Sequence, residues 1–566
     1  MPISIASAAA LFWNSIDPVL TGFFLAQVRS VSPKRLIDLK PSLDDSLDVR
    51  LVEVKSEIPE YVALSYCWGN STGNEYKLTS ENLESKMKRI AHGELPKTFQ
   101  HVFSIVRSLG YRFIWIDALC ILQDKDSEKD WIDESEKMGS IFGNAVFTIA
   151  SNATDDPYKG LYNDRSSNLP IPDKVTVRTT LPDGTASSLM FFDSPSGYEA
   201  ENTFGMMSGP VSQRGWTLQE RMLSPRTLHY TSKQLVWECR ETYETEDGSG
   251  SWDRWVPDTT MARMVKDISA GSLDQKGTRK RLTLWYRDIV PNYTERKVTV
   301  PSDKFPALSG LSRLLSSYLP GWTFLAGIWV PKLPCHDAFD LESLACGLLW
   351  YHDHSTTLTA LNELRAPSFS WAALEGKVSY STRLLLPPGY VDRLYCEIAK
   401  ETNSMKADEC DFPEGCCGSF IISYRFQGGA WGSCGGGDWN GLREEYGEMA
   451  FEIISFTNDL ETKDTFGRVR SGTLTLRGYP QRGFAYDKSY ILRNKQNEPV
   501  GHVFPDFDDI DSTQTLYFPL GSHGHVAYCL MLRLSGPEST NTYVRVGVGG
   551  LEIEELTWVS EKIVLI

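Results

Sequence analysis

Most of the short patterns that announce a familiar chemistry are missing from this sequence. There is no GxxxxGK[ST] phosphate loop, no GxSxG elbow and no GxGxxG after a strand, so an NTPase, a serine hydrolase and a standard dinucleotide oxidoreductase find no support. No CxxC pair and no HExxH string occurs either. Cys410, Cys416, Cys417 and Cys434, with the pairs His352/His354 and His523/His525, are therefore a poor basis for a zinc centre, and neither a metal nor a resident cofactor is expected. Positive charge is in deficit: 57 Lys and Arg against 73 Asp and Glu leave a formal charge of -16. Nucleic-acid affinity comes from clustered cations displacing counterions, so no nucleic-acid partner is expected. A basic run such as Lys276–Arg281 (KGTRKR) reads as a solvated loop, with contact to an anionic surface as the alternative. A run of about 20 apolar residues is absent, and the N-terminal stretch has no basic start and carries Asp17 and Pro18, so neither a membrane span nor a signal peptide is expected. Eleven cysteines in 566 residues do not make a disulfide framework. Cys67, Cys120 and Cys239 sit inside apolar runs, where a thiol packs as a small hydrophobe, and the reducing cytoplasm is the expected address. No internal repeat is visible.

What remains is an ordinary globular composition, 41% apolar and 11% aromatic, which supplies enough apolar surface for a folded core. Residues 61–66 read as a strand running into a turn at Trp68-Gly69. Asn82 to Ile90 reads as a short helix, and Pro96 opens a second one, with Phe99, Val102, Phe103, Val106 and Leu109 at helical spacing and Gly110 as the stop. Arg112 to Asp117 is a nearly continuous apolar run, the pattern of a central parallel strand covered on both faces. Ser127, with Asp130 three residues on, approximates a capping arrangement for a helix through Phe142, and Ala145 to Ala150 reads as the next strand. After weak β-like runs at 174–179 and 189–192, a helix is expected over Arg214–Met222 and a hairpin over Thr227–Tyr230 and Gln234–Cys239. The polar stretch 241–280 reads as a boundary. The remainder is rich in short strands, with helices near Leu282–Ile289 and Phe305–Leu315 and a glycine-dense loop over Gln427–Gly441.

Three strings stand out: Tyr61–Gly69 (YVALSYCWG), Trp115–Gln123 (WIDALCILQ) and Arg214–Arg221 (RGWTLQER), in this order within 161 residues. Together they are similar to the signature of the fungal heterokaryon-incompatibility, or HET, domain. The segments PALSGL (306–311), AGIW (326–329), LLW (348–350) and RAPSFSWAALEG (365–376) resemble the region downstream of that domain in its fungal proteins. The resemblance implies an α/β fold: an open, mostly parallel sheet with flanking helices, distantly similar to the TIR domain. On this basis the chain divides into an N-terminal segment (1–50), a HET domain (51–240), a linker (241–280) and a β-rich α+β region (281–566). It also implies a cell-death effector in non-self recognition that acts with protein partners or by self-association. The alternatives are a non-enzymatic signalling or adaptor module and a secondary-metabolism enzyme on the same scaffold.

Glu134 carries the sharpest chemical expectation. On a helix it falls on the stripe of Trp131, Met138, Ile141 and Phe142, so its carboxylate must be paired, hydrogen-bonded or facing a cavity. TIR-type enzymes cleave the nicotinamide glycosidic bond of NAD with a helix-borne glutamate, and the resemblance makes Glu134 its analogue, with NAD as substrate. Asp117 ends a buried strand, where open α/β sheets bind ligands, and Gln123 and Asp124 follow within a turn. The alternative is that Asp117 bonds the turn backbone. Arg214 and Arg221 are candidates for a pyrophosphate, or with Glu220 for salt bridges clamping a helix to the sheet. Tyr66, Trp68 and Trp115 are candidates for stacking on a ligand ring, or for core packing. Cys120 has no histidine partner in a recognisable pattern and reads as a buried thiol.

Overall fold

The computed structural model describes residues 31–40, 46–162, 209–245, 273–380 and 451–566, each with short interruptions, with strands at 174–180, 186–192, 423–425 and 431–433 and a few residues between 265 and 269. Cys410, Cys416, Cys417, Cys434, His354, His525 and most of the stretch 427–441 lie outside these residues. Among the described residues no helix is long and apolar enough to cross a membrane. The chain divides into two compact units. The first comprises Met1–Leu273, Arg296–Tyr318 and Phe466–Arg468, and the second Asp274–Glu295, Leu319–Thr465 and Val469–Ile566.

The first unit begins its sheet before the first string, with the antiparallel pair β1 (Arg35–Asp38) and β2 (Arg50–Glu53). Then come β3 (Tyr61–Ser65), the helices α1 (Leu83–Lys88) and α2 (Lys97–Ser108), and β4 (Phe113–Trp115). A single turn α3 (Asp117–Cys120) leads to α4 (Glu128–Ser135), α5 (Met138–Asn144) and β5 (Thr148–Ala150). The strands β6 (Lys174–Thr180) and β7 (Ala186–Phe192) pair with each other and, among the described residues, with no other strand. Last come α6 (Thr217–Leu223), β8 (Arg226–Tyr230), β9 (Leu235–Cys239) and β10 (Tyr243–Thr245).

The eight-stranded sheet has the order β10-β9-β8-β5-β3-β4-β1-β2. Its centre, β8-β5-β3-β4, is parallel, and its edges are antiparallel. This is the α/β class expected from the sequence. The central strands β3 and β5 are buried at every residue, which is why their runs are apolar without alternation. On α2 the buried residues Phe99, Val102, Phe103 and Val106 recur at helical spacing, and Pro96 precedes the first turn, where its missing N–H costs nothing.

Several local expectations are corrected. The apolar run at 112–117 gives a shorter strand, and Asp117 opens the turn α3. The single helix expected from Ser127 to Phe142 is two, interrupted at Glu136-Lys137. Ser127 does not cap α4: its hydroxyl bonds Asp124 at 2.9 Å, and Asp130 turns to Arg35 at 2.9 Å through both oxygens. A buried cation holds that carboxylate more strongly than a local backbone amide would. The third string starts its helix at Thr217, because Gln213–Gly215 is drawn into a bridge with Lys297 (2.7 and 2.8 Å).

The Arg296–Tyr318 segment is thus stitched to the unit at its first residues, and its helix Ser309–Ser317 is seated between α5 and α6 by glycines. A Cβ on Gly139 would lie 2.8 Å from Gly310 Cα, and one on Gly310 would lie 2.7 Å from Gln219 Oε1. Gly139→Ala and Gly310→Ala are each expected to cost ~1–3 kcal/mol through overpacking, read as a lower urea midpoint at unchanged m-value. Unshifted midpoints would mean that the three helices separate freely.

The second unit is rich in strands, as expected. Its main sheet runs Glu452–Leu460, Val469–Gly478, Glu561–Leu565, Thr542–Glu552, Pro499–Pro505, Ile491–Arg493, Ala485–Tyr486, and the hairpin Leu516–His523/Val526–Leu534 pairs onto Thr542–Glu552. The AGIW string supplies Gly327 at φ +89°, whose carbonyl accepts from both Trp371 and Trp285 indoles (3.0 and 3.3 Å). A side chain there would strike Trp371.

Candidate functional site

The three strings meet at the carboxyl ends of the parallel strands. Beyond β3 the Trp68 indole N–H donates to Asp117 Oδ2 at 2.7 Å, joining the first string to the second. Asp117 Oδ1 accepts from Ala118 N–H at 2.6 Å. From the third string the Arg214 guanidinium donates to the Tyr66 carbonyl. Asp117 is only partly enclosed, yet burial raises its pKa, opposed by the Arg214 charge and by the Trp68 hydrogen bond. Glu220, on α6, is 4% exposed, and burial pushes it up to about 7 against the pull of Arg214, of a hydrogen bond from Ser65 and of Arg296. Two acidic groups held above their ordinary range thus share one guanidinium.

The β8–β9 hairpin adds a second polar set. Thr227 and Glu238 are directly opposed in register, which puts His229 on the same face as Glu238. Glu238 binds His229 Nε2 at 2.7 Å and the Arg221 fork at 2.8 and 3.1 Å. Burial pushes Glu238 up, but Arg221 and His229 hold it down at about 2, while burial lowers the His229 pKa. His229 Nδ1 is 3.0 Å from Asn152 Nδ2. Between these groups and the end of β3 lies a cavity of about 10 Å3, lined among others by Ser65, Thr148, Asn152, Thr217, His229 and Arg296. It lies along the neighbouring strands β3, β5 and β8, with Ser65, Thr148, Ala150, Thr227 and His229 in its wall.

A family model described as Heterokaryon incompatibility protein (HET) matches residues 61–220, the span that holds all three strings but for Arg221. The chain carries a HET domain. Heterokaryon incompatibility protein 6, OR allele, of Neurospora crassa is 30% identical over 133 residues, which are 22% of this chain and 19% of that protein. The match therefore spans about a fifth of the curated relative's length. No solved structure matches the chain.

Within and around the HET domain the other candidate residues fall in different places. Glu134 is fully buried, as its helical stripe requires, with Oε2 accepting from Lys34 N–H at 3.0 Å and Oε1 from Lys137 Nζ at 2.8 Å. Trp115 is fully buried against Phe142, edge-to-face at 5.5 Å. Gln123 donates to the Ile121 carbonyl at 3.0 Å, and Asp124 accepts from Ser80 N–H at 2.9 Å, so both knit their own loop. Arg221 pairs with Glu238, not Glu220, and thereby clamps α6 to β9. Tyr66, Trp68, Asp117 and Arg214 are brought together; Glu134 and Trp115 are not part of that group. Cys120 is buried with its thiol pushed up to about 12 by burial, as suits an inert thiol. Among the described residues no cluster of three or more His, Cys, Asp or Glu could hold a metal ion. The sequence reading did not find Arg35, His229, Glu238 or Arg296. The first three had a signal: an ionisable residue inside an apolar strand run (RLID, TLHY, LVWEC).

Proposed function

We propose that the chain acts in fungal non-self recognition, as a heterokaryon-incompatibility effector whose HET unit drives cell death on meeting a partner protein or clustering with its own copies. The observation that carries this reading is the convergence of the family's three strings on one polar centre, Trp68–Asp117 and Arg214–Tyr66, at the ends of the parallel strands. Such a centre ties Tyr66–Trp68 after β3, the turn after β4 and the approach to α6 together, and so shapes the surface that a partner meets. The test is controlled expression of the full chain in a filamentous fungus. Growth arrest is expected, and Asp117→Asn with Arg214→Ala is expected to relieve it while the protein still accumulates. Unimpaired growth on expression of the wild type, alone and with candidate partners, would count against the reading.

Cleavage of the nicotinamide glycosidic bond of NAD is a second reading of the output. It is favoured by the raised carboxyl groups of Asp117 and Glu220 beside Arg214. Departure of neutral nicotinamide leaves an oxocarbenium-like ribose that a carboxylate stabilises. Asp117 is partly exposed as a residue, its oxygens held by the Trp68 indole and the Ala118 amide, whereas Glu134 is fully buried with its oxygens held by Lys34 and Lys137. Nicotinamide release from NAD by the clustered full chain tests it. Loss with Asp117→Asn and retention with Glu134→Gln assigns the work to the strand end, and the reverse assigns it to α4. No release from the wild type leaves the adaptor form of the effector.

A further inference from the structure

After β5 the chain lies along the start of α2 and the turn that ends the first string. The Pro157 carbonyl accepts from Thr98 N–H, in the first turn of α2, at 2.9 Å. A Cβ on Gly69, whose φ is +75°, would lie 3.1 Å from Pro157 Cδ and 3.5 Å from the Asp155 carbonyl oxygen. The Tyr158 ring meets Tyr76 edge-to-face at 6.3 Å, and Tyr76 and Tyr66 meet Phe99 of α2 in the same way, at 5.4 and 5.1 Å. Residues Asp155–Tyr162 thus form a strap across the end of the first string.

The far end of the strap is fastened by one side chain. Leu161 N–H donates to His101 Nδ1 at 3.1 Å. The His101 ring lies against Tyr162 with centroids 4.3 Å apart, and Tyr162 in turn meets Tyr230 of β8 at 6.5 Å. Gly160, at φ +83°, passes so close that a Cβ there would lie 2.7 Å from His101 Cε1. Only glycine fits both that backbone and that approach.

We propose that His101 is a pH-sensitive latch for this strap, closed while its imidazole is neutral and opened when the ring takes up a proton. Nδ1 accepts only while it carries no hydrogen, so the latched ring has its hydrogen on Nε2. A proton added to Nδ1 sets two donors face to face and ends the bond. Burial, and then the Lys97 charge one turn back on α2, lower the His101 pKa from 6.5. The latch is therefore complete above that value and is lost as pH falls below it. On the strap, Asp155 pairs with Lys159 at 2.9 Å and Asp156 accepts from Tyr158 N–H at 2.9 Å, while Tyr162 is a phenol whose own pKa burial raises. What the strap covers, Tyr76 and the Trp68-Gly69 turn, borders the polar centre, but the latch stands whatever that centre does.

Hydrogen–deuterium exchange of the full chain tests this, read at single-residue resolution, with each rate compared with the random-coil rate at the same pH. Protection of the Leu161 amide is expected to fall at least about fivefold from pH 7.5 to pH 5, the loss of one hydrogen bond, while the amides of β3 and β5 keep theirs. His101→Gln has nothing to titrate in this range, and its Leu161 protection is expected to be the same at both pH values. Gly160→Ala keeps the imidazole but drives a methyl into it, and is expected to leave Leu161 unprotected at both. A wild-type Leu161 amide equally protected at pH 7.5 and pH 5 overturns the proposal. So does a fall in His101→Gln as large as in the wild type, which would place the titrating group elsewhere, and so does undiminished protection in Gly160→Ala.

Discussion

Replacing Arg35 by methionine is expected to destabilise the first unit by ~3–5 kcal/mol, the cost of removing one partner of a buried ion pair. Arg35 is 2% exposed and grips Asp130 through both oxygens at 2.9 Å, while its Nη1 also donates to the Cys120 carbonyl at 3.0 Å. One side chain on β1 thus holds α4 and the end of α3. Burial alone would push Asp130 up, but Arg35, Lys34 and Leu122 N–H hold it well below the usual carboxylate range. Its folded pKa is depressed, so its contribution is present above the unfolded value of 3.8 and is lost as pH falls below it. In Arg35→Met the burial cost is left opposed only by Lys34, whose side chain is 48% exposed, and by one amide. Urea unfolding at pH 7 measures the loss, and Arg35→Met with Asp130→Leu is expected to regain part of it, since no charge is then left unpaired. A single variant within about 1 kcal/mol of wild type, the range of a surface ion pair, would mean that Arg35 is no clamp. The same geometry predicts that residues 61–220 alone will not fold, because β1 and Arg35 lie before them.

The sequence made the central strands and α2 legible because their signals are local. A run such as Phe113-Ile114-Trp115 needs only its own composition to be recognised as doubly covered, and the stripe on α2 needs only its spacing. Glu134 was legible in part: its place on an apolar stripe required a carboxylate that is paired, hydrogen-bonded or facing a cavity, and it is fully buried with both oxygens engaged. Lys137 is a local partner three residues on, but the other, Lys34, was not legible, because it lies 100 residues away. Asp130 shows the same limit: its spacing from Ser127 suggested a local cap, whereas the structure gives it a cation 95 residues distant. The candidate site divides along this line. Trp68, Asp117 and Arg214 belonged to dense strings and were each singled out as candidates, though not as one group. Arg296 sits in a polar, unremarkable stretch and is brought to the cavity beside the bridge that Lys297 makes. No pattern within its own neighbourhood marks it.

Glu220→Gln is expected to stabilise the first unit at pH 8 by ~3 kcal/mol and to leave it nearly unchanged at pH 4. The wild-type carboxyl is raised from 4.5 to about 7 by burial, with Arg214, the Ser65 hydrogen bond and Arg296 only partly offsetting that effect. A folded pKa above the unfolded one means that the folded chain holds the proton more tightly. The favourable state is complete below about 4.5 and is lost as pH rises through about 7. Glutamine reproduces the shape of the protonated acid and has no charge to bury, so the variant escapes that loss. Two neighbours act in the opposite sense. His229, lowered from 6.5 by burial, and Glu238, held at about 2, contribute stability that disappears as pH falls. Both remain in the variant, so the difference between variant and wild-type urea midpoints, followed from pH 4 to pH 8, isolates Glu220. A difference that does not grow with pH would mean that the ionised carboxylate is fully compensated by Arg214 and Arg296, and the centre would then be an ordinary ion-pair network. A difference that opens between pH 5 and 7 shows that the domain tolerates a destabilising acid where its three strings converge, as expected where a site is shaped for work other than stability.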